Sequence, residues 1–518
     1  MDNSAADLIL YGGNILTLNP ACSRAQLIAV RGDTILSVAA DDALPALRGQ
    51  GTEVVALNGR TVLPGFHDAH CHLVAFAESL LVPNLAPPSV HSISDIQGEI
   101  RRFSRELPPG SWIRARGYDE FHLREKRHPT RRDLDEATVL HPVKLTHRSG
   151  HAHVLNSSAL ALAGISGETT EPPGAMIERY LETGEPNGVL YGMGEYLAKV
   201  VPLLDDRELA RGIELAGERL LASGITSLQD ASASNDLRRW QMFLRWKAEG
   251  YLKPRAGMML GVEAFNRHRE EGLLPQTGDN QLRLGAVKII LDETRGYLNP
   301  PREELNRKVL EIHRAGFQVA LHALGETTLD AAFLALEYAI QSSPRRGHRH
   351  RIEHCSVCRP EMARRLASLG IAVVTQPSFI YYNGERYLRT VPEEQLRHLY
   401  PLATLIEAGL KVSAGSDAPV VSPAPLTGIY AAVSRKAKTG QDLLPEERIP
   451  PLAAVEMYTQ GAAYVSFEEA IKGSLAPGKL ADLVVLSGDP TEVSPEEIRN
   501  LHVEMTVVGG KIVWRRGL

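Results

Sequence analysis

Cysteine is scarce in this chain, with four residues in 518, at positions 22, 71, 355 and 358. So few thiols cannot form a disulfide framework in a protein of this size, and they point to a reducing environment. Cys355 and Cys358 have the spacing of half a zinc ribbon, yet no second pair completes it, so a buried thiol is the simpler reading of Cys355. Long apolar runs are missing as well. No stretch approaches the ~18 consecutive apolar residues of a membrane span. The opening Met1-Asp2-Asn3-Ser4 lacks the basic segment and apolar core of a secretory signal. A cytoplasmic protein without membrane association is therefore expected. An excess of either charge is absent too: 57 Lys and Arg stand against 62 Asp and Glu, a formal charge of -5. With a pI near 6.4, nothing electrostatic suggests a nucleic-acid partner. The basic run Arg345-Arg346-Gly347-His348-Arg349-His350-Arg351 reads as a solvated loop ahead of a buried strand. No low-complexity tract and no dinucleotide-binding fingerprint is visible.

What the chain does contain is globular in composition, 43% apolar and 23% charged. Its length predicts two or three domains, or one barrel with additions. The middle alternates apolar strand-like and helix-like segments. Eight strands are expected at 61–72, 225–231, 255–260, 284–291, 318–322, 351–354, 372–376 and 411–417, with helical periodicity at 302–315, 327–341 and 361–369. Eight such units predict an α/β fold, a (β/α)8 TIM-like barrel whose reactive residues lie at the carboxyl ends of its strands. An open doubly wound sheet would also alternate, but it lacks its fingerprint here. Both termini read instead as short strands with tight turns. Asp7–Tyr11 around Gly12-Gly13 to Asn14–Leu18 looks like a hairpin, as do the segments flanking Arg31-Gly32-Asp33 and those flanking Gly509-Gly510. Neither end can bury a core alone, so one small β-sandwich from 1–62 with 473–518 is predicted. The barrel would comprise 63–79 with 208–472. The long gap at 80–207 would form an inserted subdomain capping its mouth, where specificity-setting loops commonly lie.

His70 and His72 stand out at the end of the first strand segment. Residues i and i+2 of a strand share a face, so the two imidazoles project together, as ligands of one metal do. Lys288, His322, His354 and Asp417 each fall near the end of another strand segment. Each alone has an ordinary structural explanation; together they make that explanation strained. A lysine among apolar residues is costly to bury as an ammonium. As a neutral amine it could instead add carbon dioxide, giving a carbamate able to bridge two metals.

These residues resemble the amidohydrolase superfamily, and within it the amidohydrolase family 3 branch that includes enzymes similar to N-substituted formamide deformylase. The resemblance is carried by Pro64-Gly65-Phe66-His67-Asp68-Ala69-His70-Cys71-His72, Val287-Lys288-Ile289, His322-Ala323-Leu324-Gly325, Ile352-Glu353-His354 and Gly415-Ser416-Asp417-Ala418-Pro419-Val420. Gly473 through Val484 looks like the tail motif of such enzymes, and Gly150-His151-Ala152 resembles a motif of the insert. It implies a divalent metal, zinc first, as one or two ions. His70 and His72 would hold one, His322 and His354 the other, with an N6-carboxylated Lys288 between them. Asp417 would combine ligation with acid–base catalysis, and Arg148 and His151 would touch substrate. The implied reaction is hydrolysis of a C–N bond in an amide, an N-formyl or N-acyl amine or a cyclic amide by metal-activated hydroxide. A non-hydrolytic lyase, isomerase or decarboxylase on the same ligands, or an inactive scaffold, is the alternative. The partner would be a small-molecule substrate, and a homodimer is kept open as the assembly. Gln376-Pro377-Ser378-Phe379-Ile380-Tyr381-Tyr382 follows the seventh strand segment. It is expected at the pocket rim, with Gln376 and Tyr381 in contact with substrate. The sequence departs from the branch at His67, which by alternation faces away from His70, and at Asp292-Glu293-Thr294-Arg295-Gly296, where Asp-Gly-Ser is usual.

Overall fold

The computed structural model describes residues 5–517 apart from 88, 173, 203 and 294–296. Its central element is an eight-stranded, all-parallel barrel sheet: β1 (Phe66–Cys71), β2 (Ile225–Asp230), β3 (Arg255–Gly261), β4 (Leu282–Ile290), β5 (Val319–Ala323), β6 (Arg351–His354), β7 (Ala372–Thr375) and β8 (Lys411–Ala414). The strands follow one another in chain order across the sheet. Strands covered on both faces need continuous apolar sequence, and β7 (Ala-Val-Val-Thr) is buried at every position. Helices return the chain between strands. The one at Arg302–Arg314 has Glu303 and Glu304 in its first turn, His313 and Arg314 in its last, and buries Leu305, Val309 and Ile312 on one face.

The circle closes where β8 ends beside β1. The Asp417 N–H donates to the His70 carbonyl at 2.7 Å, and the His72 N–H donates to the Ala418 carbonyl at 2.8 Å. The Asp68 carboxylate accepts the Ser416 N–H at 2.9 Å and the Ser416 hydroxyl at 2.5 Å. The chain is thus an α/β protein of the (β/α)8 type.

The single strand expected at 61–72 is two strands. Thr61–Pro64 pairs antiparallel with Leu483–Leu486 in a six-stranded sheet, and the chain enters the barrel only after Gly65. A Cβ at Gly65 would stand 2.8 Å from that of Thr226, so only glycine lets the chain pass so close to β2. The six-stranded sheet also contains Asn14–Leu16, Val503–Val508 and Lys511–Arg515, and therefore joins both termini. Against it lies a four-stranded sheet of Ala6–Tyr11, Leu27–Arg31, Thr34–Ala39 and Arg48–Ala56. Leu8, Leu10, Ile28 and Val30 of one sheet form a common core with Ile15, Val62, Val485 and Val507 of the other. The hairpin expected around Gly12-Gly13 does not form. Ala6–Tyr11 and Asn14–Leu16 belong to different sheets, and the glycines let the chain step across rather than turn back. The hairpins around Gly32 and around Gly509-Gly510 do form.

Residues Val74–Ala216 make a second compact unit. It is built on a five-stranded sheet of Met176–Arg179, Pro186–Tyr191, Ala152–Leu155, Val143–His147 and Ile113–Tyr118. The helix Ile93–Glu106, capped by the Ser92 side chain, packs Ile93, Ile96 and Ile100 into the core of this sheet. Among the described residues no helix is long and apolar enough to cross a membrane.

Candidate metal centre

The carboxyl ends of the barrel strands bring six of the sequence-derived residues together. His70 Nε2 and His72 Nε2 lie 3.5 and 3.0 Å from Asp417 Oδ1, and the ligand atoms of these three residues all fall within 4.8 Å of one another. The His354 ring centre is 4.8 Å from that of His70 and 4.4 Å from that of His322. Lys288, on β4, is close enough to Glu353 and Asp417 that both carboxylates act on its charge. Close approach and unusual backbone hold this arrangement. A Cβ on Gly415 would stand 2.6 Å from the His70 backbone nitrogen, so no other residue fits there. Asp417, His354 and Cys355 have φ of 58, 71 and 50°, a left-handed conformation that costs non-glycine residues energy and tends to occur at functional sites.

A buried hydrogen-bond chain orients the rings. His70 Nδ1 donates to the Glu353 carboxylate, which in turn accepts from the Arg351 guanidinium. Arg351 also donates to Gln229 Oε1 at 2.7 Å and to the Ala69 carbonyl at 2.8 Å. A carboxylate on Nδ1 fixes the tautomer and leaves Nε2 as the basic nitrogen, turned toward Asp417. His354 Nδ1 donates to Gln376 Oε1 at 2.7 Å, and His72 Nδ1 lies 3.1 Å from Ser232 Oγ. Burial, reinforced by Lys288 and the neighbouring histidines, holds the His70 imidazole well below its ordinary pKa, so it stays neutral as a ligand must. Burial would raise the Glu353 carboxyl, but Arg351 and Lys288 outweigh it and keep it ionised.

Two buried nitrogens test whether this set fits a cation. Neither His70 Nε2 nor Lys288 Nζ has a hydrogen-bond partner, although both residues are almost fully buried. Buried polar atoms are normally satisfied, so unpartnered nitrogens at this site call for a partner not supplied by the chain. Imidazole nitrogens with a carboxylate oxygen suit a divalent ion of borderline softness. The residues present fit a metal.

The remaining expected residues have surroundings of their own. Gln376 is fully buried and orients His354 rather than standing at an exposed rim. Tyr381 is on a helix, Ser378–Thr390, where a rim loop was expected. Its ring packs edge-on against Tyr382 and Tyr430. Arg148 and His151 belong to the second unit: Arg148 Nε is 3.5 Å from Asp119 Oδ2, and His151 is exposed. Residues 294–296 of the departing Asp292–Gly296 segment lie outside the described residues. Asp119, Glu120 and His147 make a further cluster of ligand-type atoms in the second unit, with the Arg148 cation set against it. Sequence reasoning missed Glu353, Arg351, Gln229 and Asp68. The signal for the first two was present, since Arg351 and Glu353 sit two apart in a short buried strand and must share a face and a charge pair.

Comparison with known proteins shows the family. Residues 53–514 match the model of the amidohydrolase family. The chain is 30% identical to the N-substituted formamide deformylase of Arthrobacter pascens, over 98% of each sequence. Crystal structures of uncharacterized metal-dependent hydrolases from Pyrococcus horikoshii and Pyrococcus furiosus superpose with TM-scores of 0.75 and 0.73. They are 24% and 25% identical to it, across 94% of this chain and 99% and 100% of theirs. The chain belongs to the amidohydrolase family and is a metal-dependent hydrolase of carbon–nitrogen bonds.

Proposed function

We propose that the substrate is an N-formyl or N-acyl amine or a cyclic amide, and that His70, His72, His322, His354, Asp417 and a carboxylated Lys288 hold one or two divalent ions, zinc being the first candidate. The convergence of these side chains around two unpartnered buried nitrogens carries the reading. When bound, such an ion lowers the pKa of water to about 7 and polarises the substrate carbonyl.

The chain's own groups do the rest. Asp417 Oδ1 faces the two histidines, which leaves Oδ2 to take the proton of the attacking water and pass it to the leaving nitrogen. Glu353 keeps His70 Nδ1 protonated and Nε2 available throughout. At Lys288, burial brings the amine down to about 8, which leaves part of it neutral near pH 7. The neutral nitrogen attacks carbon dioxide, the N–C bond forms, and one nitrogen proton departs to solvent, giving a carbamate whose single negative charge is shared by two oxygens. The Arthrobacter relative puts substituted formamides first among the substrates to test. The separate sheets support the three-part division expected at 1–62 with 473–518, 63–79 with 208–472 and 80–207, although the terminal sheet runs on to Pro64 and the second compact unit is Val74–Ala216.

The test strips the purified protein with a chelator and reconstitutes it with zinc, with and without bicarbonate. Each preparation is then assayed on formamides, N-acyl amines, lactams and esters in oxygen-labelled water. Activity should vanish on stripping, return with zinc and bicarbonate, and place label in the released acid. Full turnover by the stripped protein, or an unlabelled product, defeats the reading. Equal recovery without bicarbonate defeats the carbamate alone.

A further inference from the structure

The face of the barrel strands that holds the candidate ligands is built in layers. Ala286 of β4 and Ala320 of β5 pack with Ala231 and Met259 in one buried cluster. Side chains alternate along a strand, so Lys288 and then Ile290 follow Ala286 on its face, as His322 follows Ala320. The pairing of the two strands agrees, with Lys288 beside Ala320 and Ile290 beside His322. Ile290 therefore stands one layer past Lys288, at the carboxyl end of β4. Leu324 comes two residues after His322, just past the end of β5.

Both residues are apolar and both meet solvent. Ile290 is 50% exposed, and among the described residues it is the one exposed apolar side chain in the eight barrel strands. Leu324 is 47% exposed. A single exposed aliphatic side chain is ordinary and needs no explanation. Two at the ends of adjacent strands, each two residues beyond a candidate ligand, stand where substrate enters a barrel of this type. Proton transfer and carbonyl polarisation have no use for such a surface. Displacing water from it with an apolar group is favourable, so the pair selects substrates rather than transforming them.

We propose that Ile290 and Leu324 form a subsite for an apolar substituent on the substrate nitrogen, so that the leaving group is an alkyl or arylalkyl amine. This rests on the amide reading of the metal centre given above. Formamides stand first among the substrates of that reading, and a formamide carries only hydrogen on its carbonyl carbon. A group that reaches the apolar surface must then be attached through nitrogen.

The test measures kcat/KM for N-methyl-, N-propyl- and N-hexylformamide with the zinc-loaded, full-length protein. A half-covered methylene gains about half of the full transfer energy, so kcat/KM should rise roughly twofold per methylene and about thirtyfold across the series. In Ile290→Ser and in Leu324→Ser the hexyl-to-methyl ratio should fall about threefold or more, while Ile290→Val and Leu324→Met keep most of it. Where Ile290→Ser fails to fold, Ile290→Thr keeps the branched shape suited to a strand and reads the same ratio. Leu452→Ser, which removes a similarly exposed leucine from the helix Pro451–Met457, should leave the ratio unchanged. A uniform loss of rate at every chain length, with the ratio intact, would mark a structural role and overturn the proposal. So would a flat series in the unmutated protein, or a rise only when an N-methylamide is lengthened on its acyl side. Hydrolysis of no formamide or amide at all would instead defeat the reading of the metal centre, and the subsite with it.

Discussion

Replacing Asp417 by Asn keeps the side chain's size and the backbone hydrogen bond to His70, but removes the oxygen that can take up a proton. Turnover should fall to background while most of the metal stays bound, and metal analysis alongside steady-state assays checks both halves. Normal turnover would rule out proton transfer by this residue. Glu353 acts one step away. Glu353→Gln leaves the chain packed but gives His70 Nδ1 a neutral partner and leaves the Arg351 guanidinium without its counter-charge. Outer partners of this kind contribute roughly 10- to 100-fold to metal affinity, and a competition titration with a chromophoric chelator should show a loss of that order. His70 and His72 were legible because a two-residue spacing in a strand carries direction as well as identity. Gln229 was not, because its function depends on strands far away in sequence, and of Glu353 the spacing could show the pairing with Arg351 but not the hold on His70.

The seam between β1 and β8 depends on a glycine with no space beside it. In Gly415→Ala the new methyl meets the His70 backbone and must push the strand ends apart. Overpacking of this kind costs about 1–3 kcal/mol. Urea unfolding should reveal a loss of that size together with weaker metal retention; an unchanged midpoint would mean that the seam can yield. The barrel strands were readable from apolar runs bounded by turns, and their observed limits differ by a residue or two, except that the first starts five residues later and the eighth ends three earlier. The Gly12-Gly13 hairpin was misread for a physical reason. Two alternating segments around a glycine pair look the same whether the chain folds back or crosses to another sheet, and only the partner strands decide. Gly65 hid the division of the first strand in the same way. The rim loop at Gln376–Tyr382 was misread because aromatic residues after a strand suit a helix packed on other aromatics equally well.

The barrel and the six-stranded terminal sheet are joined through a buried ion pair. Arg255 at the start of β3 donates to Asp482 at 2.7 and 3.0 Å, and Asp482 also accepts the Gly509 N–H at 2.8 Å. The two side chains are only 2% and 3% exposed. Arg255→Met would strand the carboxylate in a dry interior, and breaking such a pair costs about 3–5 kcal/mol. A drop in unfolding free energy of that size is expected. A change below about 1 kcal/mol would show that water reaches Asp482, as it does at exposed pairs. The pair accounts physically for an acidic residue in the tail motif, which sequence alone could only match to relatives.

The stitch between Asp68 and Ser416 spans 348 positions of chain. A ribosome releases His70, His72, Lys288, His322 and His354 before it has made Asp417, so the nascent polypeptide carries the imidazoles without the carboxylate that gathers them. Cofactor loading is accordingly expected to come late in biogenesis. A fragment ending before the eighth strand would emerge with an open barrel and a cation site lacking its carboxylate.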